Sequence, residues 1–328
     1  MSLPEIKYCP GSLSEGFNTY SRNVLNRMFF GRKVHHVLPY YSPTFDLDED
    51  ELFDENRRHI SISGVQEKFS LVLEKNKLRL AAEGEIGGYI LKPIPASGKR
   101  RDQMPGNEHL TMQIARQIFG IETAENAMIF FRNGAQAYIT KRFDIAENGS
   151  KWAQDDFASL AGRTPQTHGE HYKYLGNYAD LFQLMNVHLT TYKVDAPKLL
   201  ARLIFNFLFS NGDAHLKNFS IVETAMGDYR LSPAYDLLNS RIHIADKDFA
   251  LEDGLIPTNL SQGKISSQFA VLAKQSKISD GVFQNTMEAL LSKSNEVEKM
   301  ITNSFLNDST KRNYWQAYQG RLKQLMKK

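Results

Sequence analysis

An aspartate and an asparagine, Asp213 and Asn218, stand close together in the sequence NGDAHLKN at 211–218, just before an apolar stretch. The carboxylate of Asp213 could accept or orient the proton of an attacking hydroxyl. The side-chain oxygen of Asn218 could bind a magnesium ion. A base followed at this spacing by a metal ligand is typical of loops that catalyse phosphoryl transfer.

Two further side chains could complete such a site. Asp236 ends the sequence PAYD at 233–236 and would join Asn218 as a magnesium ligand. Lys92 ends the apolar sequence YILK at 89–92 and would pair with phosphate oxygens. Each residue alone has an ordinary structural explanation, because strand-end lysines are commonly exposed and Asn or Asp commonly caps a helix or forms a turn. Their order along the chain favours phosphoryl transfer.

A third feature is the sequence SISGVQEK at 61–68, which precedes the first predicted strand. Its small residues Ser61, Ser63 and Gly64 would let backbone N–H groups approach a phosphate. The segment holds one glycine and lacks the G-x-G-x-x-G pattern. An ordinary serine turn before a strand explains it equally well.

The elements that must position these residues fall into two parts. Alternation predicts strands at 68–73 and 77–80, followed by the strand that ends at Lys92. A helix capped by Asn107 and ended by Gly120 comes next. Two strands, 127–131 and 135–139, should then form a hairpin around Asn133-Gly134.

The pattern turns helical from about residue 153. Pro197 should open a helix with a wide apolar face. A small hairpin, 219–222 with 229–231, should follow, and helices should continue from about 262 to the end. We therefore expect an α+β, two-lobed fold with a β-rich N-lobe at 1–145 and a helical C-lobe at 146–328.

Length and composition narrow the function. The chain has 328 residues, which suits two lobes around a cleft. Its net charge of +3 comes from 40 basic and 37 acidic residues, so dominant binding to membranes or direct binding to nucleic acid is not expected. The single cysteine, Cys9, excludes a disulfide framework within the chain and any multi-cysteine metal site. The sequence has no apolar run of 18 residues, and we expect a cytoplasmic protein.

Taken together, the motifs resemble those of HipA-like serine/threonine kinases, the toxins of bacterial toxin–antitoxin modules. The matching sequences keep the family's order between about residues 60 and 240: SISGVQEK at 61–68, ILKP at 90–93, NE at 107–108, KRFD at 141–144, QDDF at 154–157, NGDAHLKN at 211–218 and PAYD at 233–236. The resemblance implies a kinase-like fold, ATP with Mg²⁺ as cofactors, and transfer of phosphate to a protein serine or threonine.

The resemblance also implies a role for each matching residue. Asp213 would be the catalytic base, Asn218 and Asp236 the metal ligands and Lys92 the ATP lysine. The nucleotide would further contact Lys141, Phe143, Asp144 and His215, with Ser61, Ser63 and Gly64 over its phosphates. Members of the family phosphorylate a serine in that loop and are thereby inactivated, which makes Ser61 and Ser63 candidates for autophosphorylation.

Partners follow from the same resemblance. Roughly 60 residues precede the serine-rich loop, which resembles the short HipT-like form that lacks the N-terminal subdomain. A separate small HipS-like protein supplies that subdomain in such systems, beside a HipB-like helix-turn-helix antitoxin. Protein substrates in the family include aminoacyl-tRNA synthetases.

Two other functions stay open at this point. The chain could be a pseudokinase that serves as a binding module in a repressor complex, although intact Lys92, Asp213, Asn218 and Asp236 favour a catalyst. It could also phosphorylate a small molecule or a lipid, since the spacing of Asp213, His215 and Asn218 occurs in such kinases too.

Overall fold

An antiparallel sheet of five strands forms the first part of the fold. The computed structural model describes residues 5–43, 67–146, 149–245, 247–261 and 263–327, and Ser61, Ser63 and Gly64 lie outside them. A short helix, α1 (Arg22–Phe29), precedes the strands β1 (Phe69–Glu74), β2 (Lys77–Leu80), β3 (Tyr89–Pro93), β4 (Asn126–Phe130) and β5 (Gln136–Lys141). The order across the sheet is β2-β1-β3-β5-β4, so β3 with Lys92 is the central strand.

The second part is mostly helical. Its helices, together with α2 between β3 and β4, are α2 (Met104–Gln117), α3 (Phe157–Leu160), α4 (Pro165–His168), α5 (Tyr178–His188), α6 (Tyr192–Leu208), α7 (Ile265–Gln275), α8 (Asp280–Leu291), α9 (Ser294–Thr302) and α10 (Asp308–Met326). A three-stranded antiparallel sheet, β6 (Gln154–Asp156), β7 (Ser220–Glu223) and β8 (Tyr229–Leu231), lies within this part. None of the described helices combines the length and apolar character that crossing a membrane requires.

Two hydrophobic clusters hold these parts together. The smaller cluster lies on the sheet and includes Leu71 and Leu91, packed against Val24 of α1. The larger cluster gathers the helices, and it also takes in Leu110 and Ile114 of α2. Helix α2 packs against β4 and β5 as well, so it is the element that joins the sheet to the helical part.

The α+β fold and both predicted hairpins are confirmed. The β4–β5 turn has Gly134 at a φ of 83°, a left-handed conformation that glycine adopts without steric cost. Strands β7 and β8 flank Gly227, as the sequence predicts. The additional strand β6 pairs with β7 and was not expected. The boundary at 145/146 stays a prediction.

Two predicted helix starts were wrong. Helix α2 begins at Met104, so Asn107 lies inside it, fully buried, and is no cap. Its side-chain amide instead forms two hydrogen bonds with the backbone of Asn239, and these compensate for the burial of a polar group. Helix α6 begins at Tyr192, and Pro197 lies inside it rather than opening it. Thr191 accepts from the N–H groups of Val194 and Asp195 and thus starts the helix further upstream.

Candidate active site

The ammonium group of Lys92 lies between two carboxylates. Its Nζ is 2.6 Å from Oε1 of Glu108 and 2.5 Å from Oδ1 of Asp236. Lys92 and Glu108 are only 4% and 3% exposed. Charges so deeply buried are tolerated only when they are paired and hydrogen-bonded, so these three side chains depend on one another.

Burial and charge act in opposite directions on these groups. Burial alone would lower the pKa of Lys92, but Asp236 and Glu108 outweigh it and hold that pKa above its usual value. Burial would raise the pKa of Asp236, but the cations of Lys92 and Lys68 hold it well below the usual range. At Glu108 burial prevails over Lys92, and the pKa is raised. Asp236 is therefore the firmly ionised carboxylate of the pair.

Each member of this ion triad comes from a different element. Lys92 sits on the central strand β3, with its Nζ 5.4 Å from the ring centre of Tyr138 on the neighbouring strand β5. Glu108 lies in the second turn of α2, whose residues 105–115 are all buried. Asp236 follows β8 and has a φ of 54°, so its backbone is left-handed. In protein kinases a strand lysine pairs with a helix glutamate in this way.

Asn218 stands beside the carboxylate of Asp236. Its Nδ2 donates to Oδ2 of Asp236 at 3.4 Å, and its Oδ1 accepts from the backbone N–H of His215 at 3.2 Å. A half-turn of the amide would direct its oxygen toward Asp236. Carboxylate and amide oxygens are suitable ligands for Mg²⁺, which usually completes its shell with phosphate and water.

This donor set fits a phosphate-bound cation better than a metal held by the protein alone. In the described part of the chain, no three His, Cys, Asp or Glu residues are grouped so that they could hold a metal ion. Asn218 and Asp236 would be its two protein ligands. The remaining ligands would have to come from a nucleotide and from solvent.

The loop that carries Asp213 is fixed where it leaves helix α6. Just beyond the end of α6, Ser210 has a left-handed conformation (φ 55°), and the N–H of Asn211 donates to the carbonyl of Asn206 at 2.8 Å. This is the Schellman pattern of helix ends. Ser240 then holds the turn, since its Oγ donates to the Ser210 carbonyl at 2.8 Å and accepts from the N–H of Gly212 at 2.9 Å.

Asp213 and His215 lie close to Tyr174. The Tyr174 hydroxyl donates to Oδ1 of Asp213 at 3.0 Å, and its ring meets the His215 ring edge-on with centres 5.2 Å apart. Burial, aided by the nearby cation of Lys173, lowers the pKa of His215 to about 3. His215 is therefore neutral at physiological pH, and it adds no positive charge beside a bound phosphate.

The residues that we expect to contact the adenine and ribose do not all lie in the same part of the structure. Phe143 stacks on Tyr235, the neighbour of Asp236, with ring centres 5.7 Å apart. Asp144 is 5% exposed and accepts from Nε of Arg142 at 2.9 Å. Phe143 thus lies against the loop that carries Asp236, whereas Asp144 pairs with its neighbour Arg142.

Lys141 faces another way. Its Nζ is 3.7 Å from the ring centre of Phe30 and 3.3 Å from the carbonyl of Arg27, next to α1. The structure thus brings Lys92, Asn218 and Asp236 together and leaves Lys141 at the end of strand β5, next to α1. A nucleotide contact for Lys141 stays a prediction.

Sequence reasoning assigned no role to three residues that the structure places here. Glu108 was part of a matching motif, and a carboxylate in a helix that follows the lysine strand could have indicated it. Lys68 approaches Oδ2 of Asp236 at 3.9 Å and is 40% exposed at its side chain. Tyr174 lies 39 positions before Asp213 in the sequence, and no local pattern predicts a contact between the two residues.

The ion triad leads to a prediction about stability. Lys92→Met leaves Glu108 and Asp236 without their shared cation, and we expect a loss of about 3–5 kcal/mol in the free energy of unfolding at pH 8. Burial already raises the pKa of Glu108, so without the cation the folded state will take up a proton more readily than the unfolded one. Stability of the variant should therefore fall as the pH rises, and the loss should be smaller at pH 5.

Urea denaturation at both pH values measures this loss. Lys77→Met, an exposed lysine on β2, is the matched control and should change the free energy of unfolding by less than about 0.5 kcal/mol. A loss for Lys92→Met that is the same at pH 5 and pH 8 would contradict the ionic interpretation.

The chain is similar in sequence to known proteins. Residues 60–303 match the family model of the HipA-like C-terminal domain. A curated relative from Sinorhizobium fredii, named "Putative kinase Y4dM", is 33% identical over 209 residues, covering 60% of this chain and 48% of that protein. A "Putative kinase" from Haemophilus influenzae is 23% identical over 246 residues, covering 73% of this chain and 68% of the relative. The chain thus spans about half the length of the Sinorhizobium protein.

Two solved structures share the fold. HipA of Shewanella oneidensis MR-1, determined in a complex with HipB and its operator DNA, superposes with a TM-score of 0.60 at 19% identity, over 80% of this chain and 63% of that one. The proinflammatory kinase CtkA of Helicobacter pylori gives a TM-score of 0.52 at 15% identity, over 77% and 92%. Both likenesses bear out the kinase-like, two-lobed fold. Since the family model covers most of the sequence, this chain belongs to the family of HipA-like C-terminal domains.

Proposed function

We propose that this chain is an ATP-dependent protein serine/threonine kinase of the HipA type. One observation carries the proposal: Lys92 is buried between Glu108 and Asp236, and Asn218 adjoins the same carboxylate. A lysine paired with a helix glutamate, next to an Asp and an Asn suited to Mg²⁺, is the set of parts that phosphoryl transfer from ATP requires. The curated relatives named as kinases support the same reading.

Each residue would have one task in the reaction. Lys92 would bind phosphate oxygens, and Asn218 with Asp236 would hold Mg²⁺, which neutralises phosphate charge. Asp213 would accept the proton of the serine or threonine hydroxyl as it attacks the γ-phosphate. Little covalent chemistry is left to the protein, because catalysis of this kind depends on positioning and charge.

Phe143 and Asp144 would contact the adenine and ribose. Phe143 could present its ring face to the base beside Tyr235. His215, neutral at physiological pH, would lie near the phosphates without repelling Mg²⁺. Lys141 would reach the nucleotide only by leaving the ring of Phe30.

The same proposal extends to partners. The Shewanella structure contains HipB and operator DNA with HipA, and we propose that this chain likewise acts as a toxin with a HipB-like antitoxin. A small HipS-like protein is the second proposed partner. The protein substrate would be an aminoacyl-tRNA synthetase, and the reaction would take place in the cytoplasm.

Removing the base tests the proposal directly. Asp213→Asn keeps the shape of the side chain and removes its basicity, so phosphoryl transfer should fall by a factor on the order of 10² to 10⁴ while the fold stays intact. Turnover of Mg²⁺·ATP and circular dichroism measure the two properties. Asp228→Asn, in the turn between β7 and β8, is the control and should keep full activity. Near-normal turnover in Asp213→Asn would exclude Asp213 as the base.

The metal ligands predict a magnesium-dependent loss of nucleotide binding. Asn218→Ala or Asp236→Asn should weaken ATP binding about tenfold or more in the presence of Mg²⁺, because each variant removes a ligand to a charged group. In EDTA the affinity should change far less. Calorimetry measures the ATP affinity under both conditions. Equal losses of affinity with Mg²⁺ and with EDTA would indicate structural damage instead.

Regulation by autophosphorylation is the third part of the proposal, and it concerns residues outside the described ranges. A phosphate on Ser61 or Ser63 adds about −1.5 to −2 charges at neutral pH, which would repel ATP from a loop that covers its phosphates. Wild-type protein incubated with Mg²⁺·ATP should become labelled there, and labelled protein should bind ATP more weakly.

The double variant Ser61→Ala with Ser63→Ala should lose this label and keep its affinity for ATP. Ser12→Ala, far from the loop in sequence, should be labelled like the wild type. Mass spectrometry locates the phosphate. Absence of label on both serines, or unchanged ATP affinity after labelling, would show that they are turn residues only.

A further inference from the structure

Tyr174 makes a direct contact with the proposed base from outside the catalytic loop. It closes the 3₁₀ turn Tyr172–Tyr174, and its hydroxyl lies 3.0 Å from Oδ1 of Asp213. A carboxylate accepts such a bond with more strength than a neutral oxygen does, because the charge assists it. The contact fixes one of the two oxygens of Asp213 in space.

The turn itself is held firmly enough to impose that position. The carbonyl of Tyr174 accepts from the backbone N–H of Glu252 at 2.8 Å. The next carbonyl, that of Leu175, accepts from Nη1 of Arg163 at 2.6 Å. The Tyr174 ring also meets the edge of His215, which belongs to the catalytic loop. The hydroxyl therefore reaches Asp213 from a backbone anchored independently of that loop.

We propose that Tyr174 is a positioning residue for the catalytic base: by holding Oδ1, it sets the rotation of the Asp213 carboxylate toward the acceptor hydroxyl. The inference rests on the proposed function and goes beyond it. In this role Tyr174 would transfer no proton and would need no contact with ATP or the acceptor. Its effect comes through Asp213, because a base must be aligned to within a few tenths of an ångström and about ten degrees to act well.

The variant Tyr174→Phe isolates this effect. It removes the hydroxyl and keeps the ring, so the packing against His215 and the cation of Lys173, 5.0 Å from the ring centre, is retained. We expect kcat for Mg²⁺·ATP turnover to fall about ten- to a hundredfold, the range for loss of a hydrogen bond to a charged group. KM for ATP and the melting temperature should stay near the wild-type values, since Tyr174 binds no nucleotide.

Tyr178→Phe is the matched control. Tyr178 begins α5, and its hydroxyl donates to the carbonyl of Ala214 at 2.7 Å, one residue after Asp213. That bond supports the backbone of the loop and leaves the carboxylate untouched, so kcat should change less than about threefold. A fall in kcat equal to that of Tyr174→Phe would show that any loss of support to the loop suffices, and would overturn the assignment.

A double-mutant cycle with Asp213→Asn supplies the sharper measurement. If Tyr174 acts through Asp213, adding Tyr174→Phe to Asp213→Asn should lower the residual kcat by less than about twofold. Multiplied losses would overturn the inference, as would a Tyr174→Phe variant with wild-type kcat. A wild-type chain that turns over no Mg²⁺·ATP would overturn the proposed function first, and the inference with it.

Discussion

The buried ammonium of Lys92 is the interaction on which the candidate site depends. It pairs with two residues that are distant from Lys92 in the sequence. Glu108 lies 16 positions away on a helix, and Asp236 lies 144 positions away on a loop. Removing charges from water costs several kcal/mol for each ion, and this cost is recovered only when all partners are in place. The sheet, helix α2 and the loop at 236 are therefore coupled through this ion triad.

Helix α2 transmits this constraint to the rest of the structure. Glu108 binds the strand lysine, while the side-chain Nδ2 of its neighbour Asn107 donates to the carbonyl of Asn239 and to Nε2 of His243, both at 2.9 Å. Consecutive residues of one helix thus hold both sides of the site. Since α2 also contributes to the larger hydrophobic cluster, the Lys92–Glu108 part of the site is anchored in the core.

The sequence could predict those candidate site residues that are recognised by their type or by a short motif. Residue type and order predict a shared site for Lys92, Asn218 and Asp236, because strand ends and loop spacings are local properties, and the structure brings these side chains together. Glu108 was not singled out although its motif was, and Tyr174 could not be placed, because its contact with Asp213 joins distant segments. The local pattern predicts a helix cap at Asn107, because it contains no information about the buried hydrogen bonds that Asn107 forms with Asn239. The same physics explains both outcomes, since local propensity decides only where tertiary contacts do not compete.

The left-handed backbone of Asp236 restricts what evolution or an experimenter can place there. Asn and Asp adopt a φ near 54° more readily than most other residues with a side chain, and β-branched residues are strongly disfavoured there. An alanine at 236 would change backbone strain and charge together. Asparagine separates the two, because it keeps the geometry and removes the charge. The backbone conformation thus limits the residue types that position 236 tolerates, independently of what a bound metal or substrate requires.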